Sequence, residues 1–382
     1  MICPCSRSRF RWLRYFCSWI CAIAGCCSLP PARAQNLDKP IQSIDKDVTA
    51  FAYAPDGRIA YSVNQTVKTK QYELEHDDIW IQETNGKSRR ILQGEKFNRG
   101  NQPFSYIVDS FRWSPDGHMI LAQLFTSTVD DSGKTTDSYM TLALEDNGKE
   151  IRIAGGDSLI KDAANPTWLP DNSTILYLSE TVKPRALFSI KATNRATGAT
   201  PSVHEGRTFR DVSWLSNTNT AIAVEQNQSM TGPLRLQQFD LVSDTDTELA
   251  TLDRYAGGLT ISPSGKKAAY FIDKEVLEIR DLADPTRLAR LRVGFGTFRW
   301  SPDESRVFLK RAVEKKSGDI VFVDVPPLSA ASDKTDVAIL QPANPAVLHG
   351  LTFRDFAISP NGQNLAVVAT GTRNLLIFPL PR

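Results

Sequence analysis

Four arginines each follow a phenylalanine, at Phe111-Arg112, Phe209-Arg210, Phe298-Arg299 and Phe353-Arg354. A guanidinium offers a planar fork of donors that fits a carboxylate or a phosphate. Set around one opening, Arg112, Arg210, Arg299 and Arg354 would make a ligand-binding funnel for a carboxylate, a phosphate or an acidic peptide. The competing reading pairs them internally with Asp211, Asp355 and the acids of nearby turns.

Catalytic chemistry is thinly provided. The four histidines, His76, His118, His204 and His349, show no metal-ligand spacing. All six cysteines lie at the front, at Cys3, Cys5, Cys17, Cys21, Cys26 and Cys27. The rest of the chain therefore has no disulfide scaffold, no cysteine zinc site and no thiol nucleophile. No G-x-S-x-G elbow is present, and the nearest string, Thr260 to Gly265, lacks the first glycine and reads as a turn. The acidic run Glu73-Leu74-Glu75-His76-Asp77-Asp78 lacks the Asp/Asn-and-Gly alternation of a calcium loop and reads as a solvated loop, as does Asp130-Asp131. No catalytic residue, metal or cofactor is expected.

The first 34 of the 382 residues read as a signal peptide. Arg7, Arg9, Arg11 and Arg14 precede an apolar stretch from Tyr15 to Gly25, and Ala32-Arg33-Ala34 is a small-x-small cleavage site. An alternative is a lipobox, Ile23-Ala24-Gly25-Cys26, which would tether the chain through a lipid on Cys26. Removing the leader with its five arginines leaves 40 basic against 43 acidic side chains. A net charge of −3 makes no electrostatic case for nucleic acid or anionic lipid. The protein is expected to be exported, periplasmic or secreted, touching membrane only through such an anchor.

One short motif recurs through residues 38–382. It reads Phe51-Ala52-Tyr53-Ala54-Pro55-Asp56-Gly57, then Phe111-Arg112-Trp113-Ser114-Pro115-Asp116-Gly117. Trp168-Leu169-Pro170-Asp171-Asn172 follows, then a degenerate Trp214-Leu215-Ser216-Asn217-Thr218. The last three are Ile261-Ser262-Pro263-Ser264-Gly265, Trp300-Ser301-Pro302-Asp303-Glu304 and Ile358-Ser359-Pro360-Asn361-Gly362. Proline fixes φ at the first central position of a tight turn, Asp or Asn suits the next, and Gly or Asn tolerates the positive φ after it. Asp56, Asp116, Asp171 and Asp303 are expected to hydrogen-bond their own turns. After each turn comes an alternating apolar strand, such as Ile59-Ala60-Tyr61 or Val307-Phe308-Leu309, then two further strands.

Four-stranded antiparallel units at this spacing predict an all-β chain, a seven-bladed β-propeller. Trp113, Trp168, Trp214 and Trp300 would fill the seams between blades. The seventh unit stops after its third strand, so residues 40–45 are expected to supply its outer strand and close the ring.

The aromatic-Ser-Pro-Asp-Gly turn, clearest at Trp113 to Gly117 and Trp300 to Asp303, resembles the TolB-type (PD40, WD40-like) propeller repeat. That resemblance implies architecture across nearly the whole mature chain. Proteins with such repeats include periplasmic protein-binding subunits, propeller halves of peptidases and sugar-lyase relatives, so fold does not choose the function. The separate N-terminal α/β domain of TolB proteins is not expected here. The reading is a non-catalytic module that binds an envelope protein or peptide at one mouth of the ring. Loops 126–137 and 324–336 are its expected contact surface. The alternative is a lyase or glycoside-active propeller enzyme with acids and arginines at the channel mouth.

Overall fold

Short β-rich runs between Pro- and Gly-containing turns satisfy their backbone by pairing, most readily with the strands next to them in sequence. The computed structural model describes residues 39–380 apart from 69–72, 97–103, 130–134, 155, 181–186, 200–201, 216–217, 244, 315–316, 331–336, 344–345 and 349–352. Six antiparallel-based sheets form. The first contains Val48–Tyr53, Ile59–Lys68, Glu73–Gln82 and Ser88–Leu92 in sequence order. The second contains Phe104–Trp113, Met119–Val129, Thr135–Glu145 and Leu159–Lys161.

The third sheet has eight strands. Ala164–Trp168, Thr174–Glu180, Phe188–Asn194 and Ser202–Val203 make one run, and Phe209–Trp214, Thr220–Glu225, Leu234–Asp240 and Thr245–Leu252 make the other. The runs meet through a single pair, Phe188 with Phe209. Gly257–Ile261, Lys267–Phe271, Val276–Asp281 and Arg287–Arg292 form the fourth sheet. The fifth comprises Phe298–Trp300, Arg306–Glu314, Ser317–Asp324 and Ala346–Leu348. In the sixth, Phe353–Ile358, Asn364–Ala369 and Leu375–Pro379 are joined on the outside by Gln42–Ile44. Ser43 faces Leu376 and Ile44 faces Leu375. Arg373 also pairs with Asp47 at 2.9 Å. The added strand is shorter than residues 40–45.

The strand after each turn is buried as a continuous run: Ile59 to Val63, Ala221 to Val224 and Leu365 to Ala369 are all buried. Alternation was expected there. It is absent because each such strand is covered on both faces by neighbouring sheets. Ile79 and Ile81 pack with Phe111 and Ile120 between the first and second sheets. Leu277 and Ile279 meet Trp300 and Val307 between the fourth and fifth, and Phe51 and Tyr61 meet Ala366 and Leu375 between the first and sixth.

The turn chemistry is local. Asp116 accepts from Ser114 Oγ at 2.6 Å and His118 N at 3.0 Å, and Asp303 accepts from Ser301 Oγ at 2.6 Å. Gly57, Gly117, Gly265, Gly362 and Asn172 hold positive φ. Glu304 does so too, at 59°, where glycine or asparagine was expected. Its carboxylate reaches back to the preceding turn, accepting from Ser264 N and from Lys267 Nζ, the latter at 3.0 Å.

Three further expectations are corrected. Residues 73–82 are a strand, with Asp77 and Asp78 buried rather than solvated. Asp77 accepts from Thr49, Asn64 and Val108 N; Asp78 accepts from Arg90 Nη1 at 3.0 Å and Gly94 N at 2.8 Å. Residues 126–129 and 135–137 are the arms of a long hairpin rather than a loop, and Asp130-Asp131 lies outside the described residues. Within and after 324–336, Ser329–Ala330 and Ile339–Leu340 pair with Arg287–Arg292, sealing the outer edge of the fourth sheet.

Close sheet packing also depends on one glycine. Gly148 has a φ of +92°, and a Cβ there would lie 2.0 Å from the Ile91 carbonyl oxygen of the first sheet. Gly148→Ala is therefore expected to cost about 2–4 kcal/mol, combining left-handed strain with overpacking. Urea unfolding checks this, and a loss below about 1 kcal/mol would contradict the packing described.

Candidate functional site

The strands that open the four-stranded runs share a distortion, except Phe298–Trp300, which pairs regularly. Register shifts interrupt Val48–Tyr53, Phe104–Trp113, Ala164–Trp168, Phe209–Trp214, Gly257–Ile261 and Phe353–Ile358. A β-bulge re-aims side chains and ends regular pairing. Three residues before the turn proline stand Arg112, Thr167, Thr260, Arg299 and Ala357, with Ser213 in the matching place on Phe209–Trp214; the equivalent residue of Val48–Tyr53, Ala52, lines neither cavity described below.

These positions converge. One cavity of about 540 Å³ is lined by Arg112 of the second sheet, Trp214 of the third, Thr260 of the fourth, Arg299 of the fifth and Ala357 of the sixth. A neighbouring cavity of about 260 Å³ shares Arg112, Trp214 and Thr260, and adds Thr167, Trp168 and Ser213. Opening strands from five sheets thus line two adjoining cavities, at the end where Pro115, Pro263, Pro302 and Pro360 turn.

The tryptophans brace this end. Trp113 donates to the Ala52 carbonyl at 3.2 Å, Trp214 to the Asn165 carbonyl at 2.8 Å and Trp300 to Thr260 Oγ1 at 3.2 Å. Trp168 is buried against Met119 and Leu121 of the second sheet. Each ring ties one opening strand to the strand before it.

Two of the four arginines meet here. Arg299 donates to Asp355 Oδ1 and to the Phe298 carbonyl, each at 3.0 Å. Arg112 makes no hydrogen bond or ion pair among the described residues. It is exposed to solvent where it lines the cavity. Burial and then the charge of Arg299 lower its pKa, opposed by Asp355. Asp109 is raised by burial and by Asp355, and it accepts from Gln123 at 3.0 Å. Lys310 donates to the Phe353 carbonyl at 2.6 Å, with its pKa lowered by burial against the pull of Asp355. Arg210 and Arg354 stand six residues before the turn and do not line the larger cavity. The larger cavity thus brings together two of the four arginines, Arg112 and Arg299. Thr260 was a missed participant, and its place three residues before the turn, like that of Arg112 and Arg299, was the available signal; Asp109 and Lys310 were missed as well, whereas Asp355 is already paired with the arginines on sequence grounds.

The three described histidines stay apart. His76 is buried with its ring 5.5 Å from that of Tyr106, and burial lowers its pKa. His204 packs on Phe239 at 4.4 Å, His118 is exposed beside Asp146 at 3.7 Å, and His349 lies outside the described residues. Among the described residues no group of three histidine, cysteine or acidic side chains is placed to hold a metal.

Comparison with protein families finds no match, and comparison with curated proteins finds none. Solved structures do match. The β-propeller domain of Cps50 (Swd1) from Myceliophteria thermophila aligns with a TM-score of 0.54 at 11% identity, over 90% of this chain and 99% of that one. The C-terminal WD40 domain of Sif2 aligns with a TM-score of 0.50 at 11% identity, over 90% and 98%. These likenesses show the fold alone: the chain is a WD40-like β-propeller.

Proposed function

We propose that this chain is an exported, non-catalytic scaffold that binds a protein or peptide of the cell envelope, built as a seven-bladed TolB-type propeller. The eight-stranded sheet supports the count, since it divides at the lone Phe188–Phe209 pair into two four-stranded runs. Gln42–Ile44 beside Leu375–Pro379, with the seam between first and sixth sheets, supports closure of the ring. The basic-then-apolar leader supports export.

One observation carries the binding role. The turn-side cavity sets Trp214, Ile261, Trp300 and Ile358 around Arg112 and Arg299. Aromatic and arginine side chains at a recessed, partly desolvated centre are what binding hot spots are made of.

A photocrosslinker tests this directly. p-Benzoylphenylalanine at Ala357, in the cavity wall, is expected to capture a discrete envelope partner. The same probe at Thr247, exposed on an outer strand, is expected to capture none. Equal capture at both places, or none at Ala357, would reject the scaffold reading. Intact mass of the product reports whether the mature chain starts at Gln35 or at a lipidated Cys26.

A further inference from the structure

We propose that Arg112 and Arg299 form a carboxylate-binding pair in the turn-side cavity, receiving an acidic side chain or free C-terminus of a peptide. This rests on the reading that the cavity is the contact surface.

Both arginines line the same cavity of about 540 Å³, from the second and fifth sheets. Arg112 has all its donors free among the described residues. Arg112 is exposed to solvent at the cavity wall, so its donors are hydrated in the free protein and open to an incoming carboxylate. Arg299 keeps Nε available, because its two recorded bonds use Nη1 and Nη2. The nearby counter-ion, Asp355, is already engaged by Arg299 and by the Phe356 amide at 2.8 Å. The other acid beside Arg112, Asp211, lines the adjoining cavity and is already engaged by Tyr255 OH and the Leu259 amide. The acids near Arg112 thus have partners of their own, and its guanidinium stays available to an added carboxylate.

The walls choose the kind of anion. Ile261, Pro263, Trp300, Pro302, Ile358 and Pro360 surround the arginines with apolar surface. A free, fully hydrated phosphate gains nothing from such walls, whereas a carboxylate carried on a peptide with apolar neighbours gains both contacts. Thr260 adds a hydroxyl whose oxygen already accepts from Trp300.

The probe is acetyl-Leu-Glu-Glu-Leu-amide, with the Leu-Gln-Gln-Leu peptide and inorganic phosphate as comparators, read through tryptophan emission. Trp214 and Trp300 line the cavity, so occupancy should shift the signal. The Glu peptide is expected to bind at least about tenfold more tightly than the Gln peptide, and less tightly as salt rises. R112Q combined with R299Q is expected to remove that preference, whereas R112K keeps part of it. Thermal melting confirms folding, and R112Q alone should melt as the parent does because Arg112 has no recorded partner to lose.

Equal binding of the two peptides would overturn the proposal, as would full preference in R112Q/R299Q, or phosphate binding with no response to the Glu peptide. Repeating the Ala357 crosslink in R112Q/R299Q separates the two claims. An undiminished adduct rejects the arginine pair and leaves the scaffold reading standing. Absence of any adduct in the unmutated chain rejects both.

Discussion

Glu278→Ala is expected to destabilise the folded chain by about 3–5 kcal/mol, because it removes the anion from a buried ionic cluster. Glu278 is 2% exposed and Arg280 4%. Glu278 accepts from Tyr270 OH at 2.6 Å, from Arg290 Nε at 3.0 Å and from Arg280 Nη2. Arg280 donates in addition to Tyr270 OH at 3.1 Å and to the Pro285 carbonyl. Without the carboxylate, Arg280 is left as a buried cation with neutral acceptors only. Taking away both ends should cost less. Glu278→Leu with Arg280→Leu replaces charge by packing, and Arg290 sits nearer the surface where water can reach it. Urea unfolding of the two variants measures the difference. A loss below about 1 kcal/mol in Glu278→Ala would show that the cluster contributes little.

The same cluster gives a pH dependence of definite sign. Burial alone would raise the Glu278 pKa. The charge of Arg280 and hydrogen bonds from Tyr270, Arg280 and Arg290 outweigh it, so the folded value lies below the ordinary one. A carboxylate depressed in the folded state adds stability above its unfolded pKa, near 4.3, and loses it as pH falls through the folded value. The acid limb of the stability curve should therefore be shallower in Glu278→Ala than in the parent below about pH 4.

The turns could be read from the chain because proline, aspartate and glycine each restrict a few neighbouring dihedrals, which needs no tertiary contact. The tryptophans could be read for a related reason, since a large ring stands two residues before five of the seven turns, with Ile261 and Ile358 in its place at the other two. The sequence was opaque where partners come from afar. Asp77 and Asp78 looked hydrated because Thr49, Val108 and Arg90, which satisfy them, lie in other strands. Ser329–Ala330 and Ile339–Leu340 are two-residue pairings onto a neighbouring sheet, too short for any periodicity. Glu304 holds a conformation suited to glycine because Ser264 and Lys267 engage its carboxylate, an inter-turn contact that the motif alone does not contain. The arginines show the same limit. Counting Phe-Arg pairs grouped four residues, whereas counting from the turn separates Arg112 and Arg299 from Arg210 and Arg354. Only the second count follows the pleat and the bulge, and so follows direction in space.

The N-terminal strand gives the test with the widest consequence. A chain starting at Lys46 is expected to lose about 2–4 kcal/mol relative to one starting at Lys39. The loss has two sources. Ile44, 7% exposed, leaves a cluster that includes Val48, Tyr61, Val368 and Leu375, and the pairings of Gln42, Ser43 and Ile44 with Leu375 to Ile377 disappear. The second source has a separate signature. Leu375–Pro379 becomes an open edge, and an unprotected edge strand pairs with other chains. The shortened chain should therefore self-associate as its concentration rises, which light scattering after size exclusion would detect. Both effects must appear together if Gln42–Ile44 is the clasp of the ring. A shortened chain that melts with the longer one and stays monomeric would mean that the seam between Phe51, Tyr61, Ala366 and Leu375 holds the first and sixth sheets together without it.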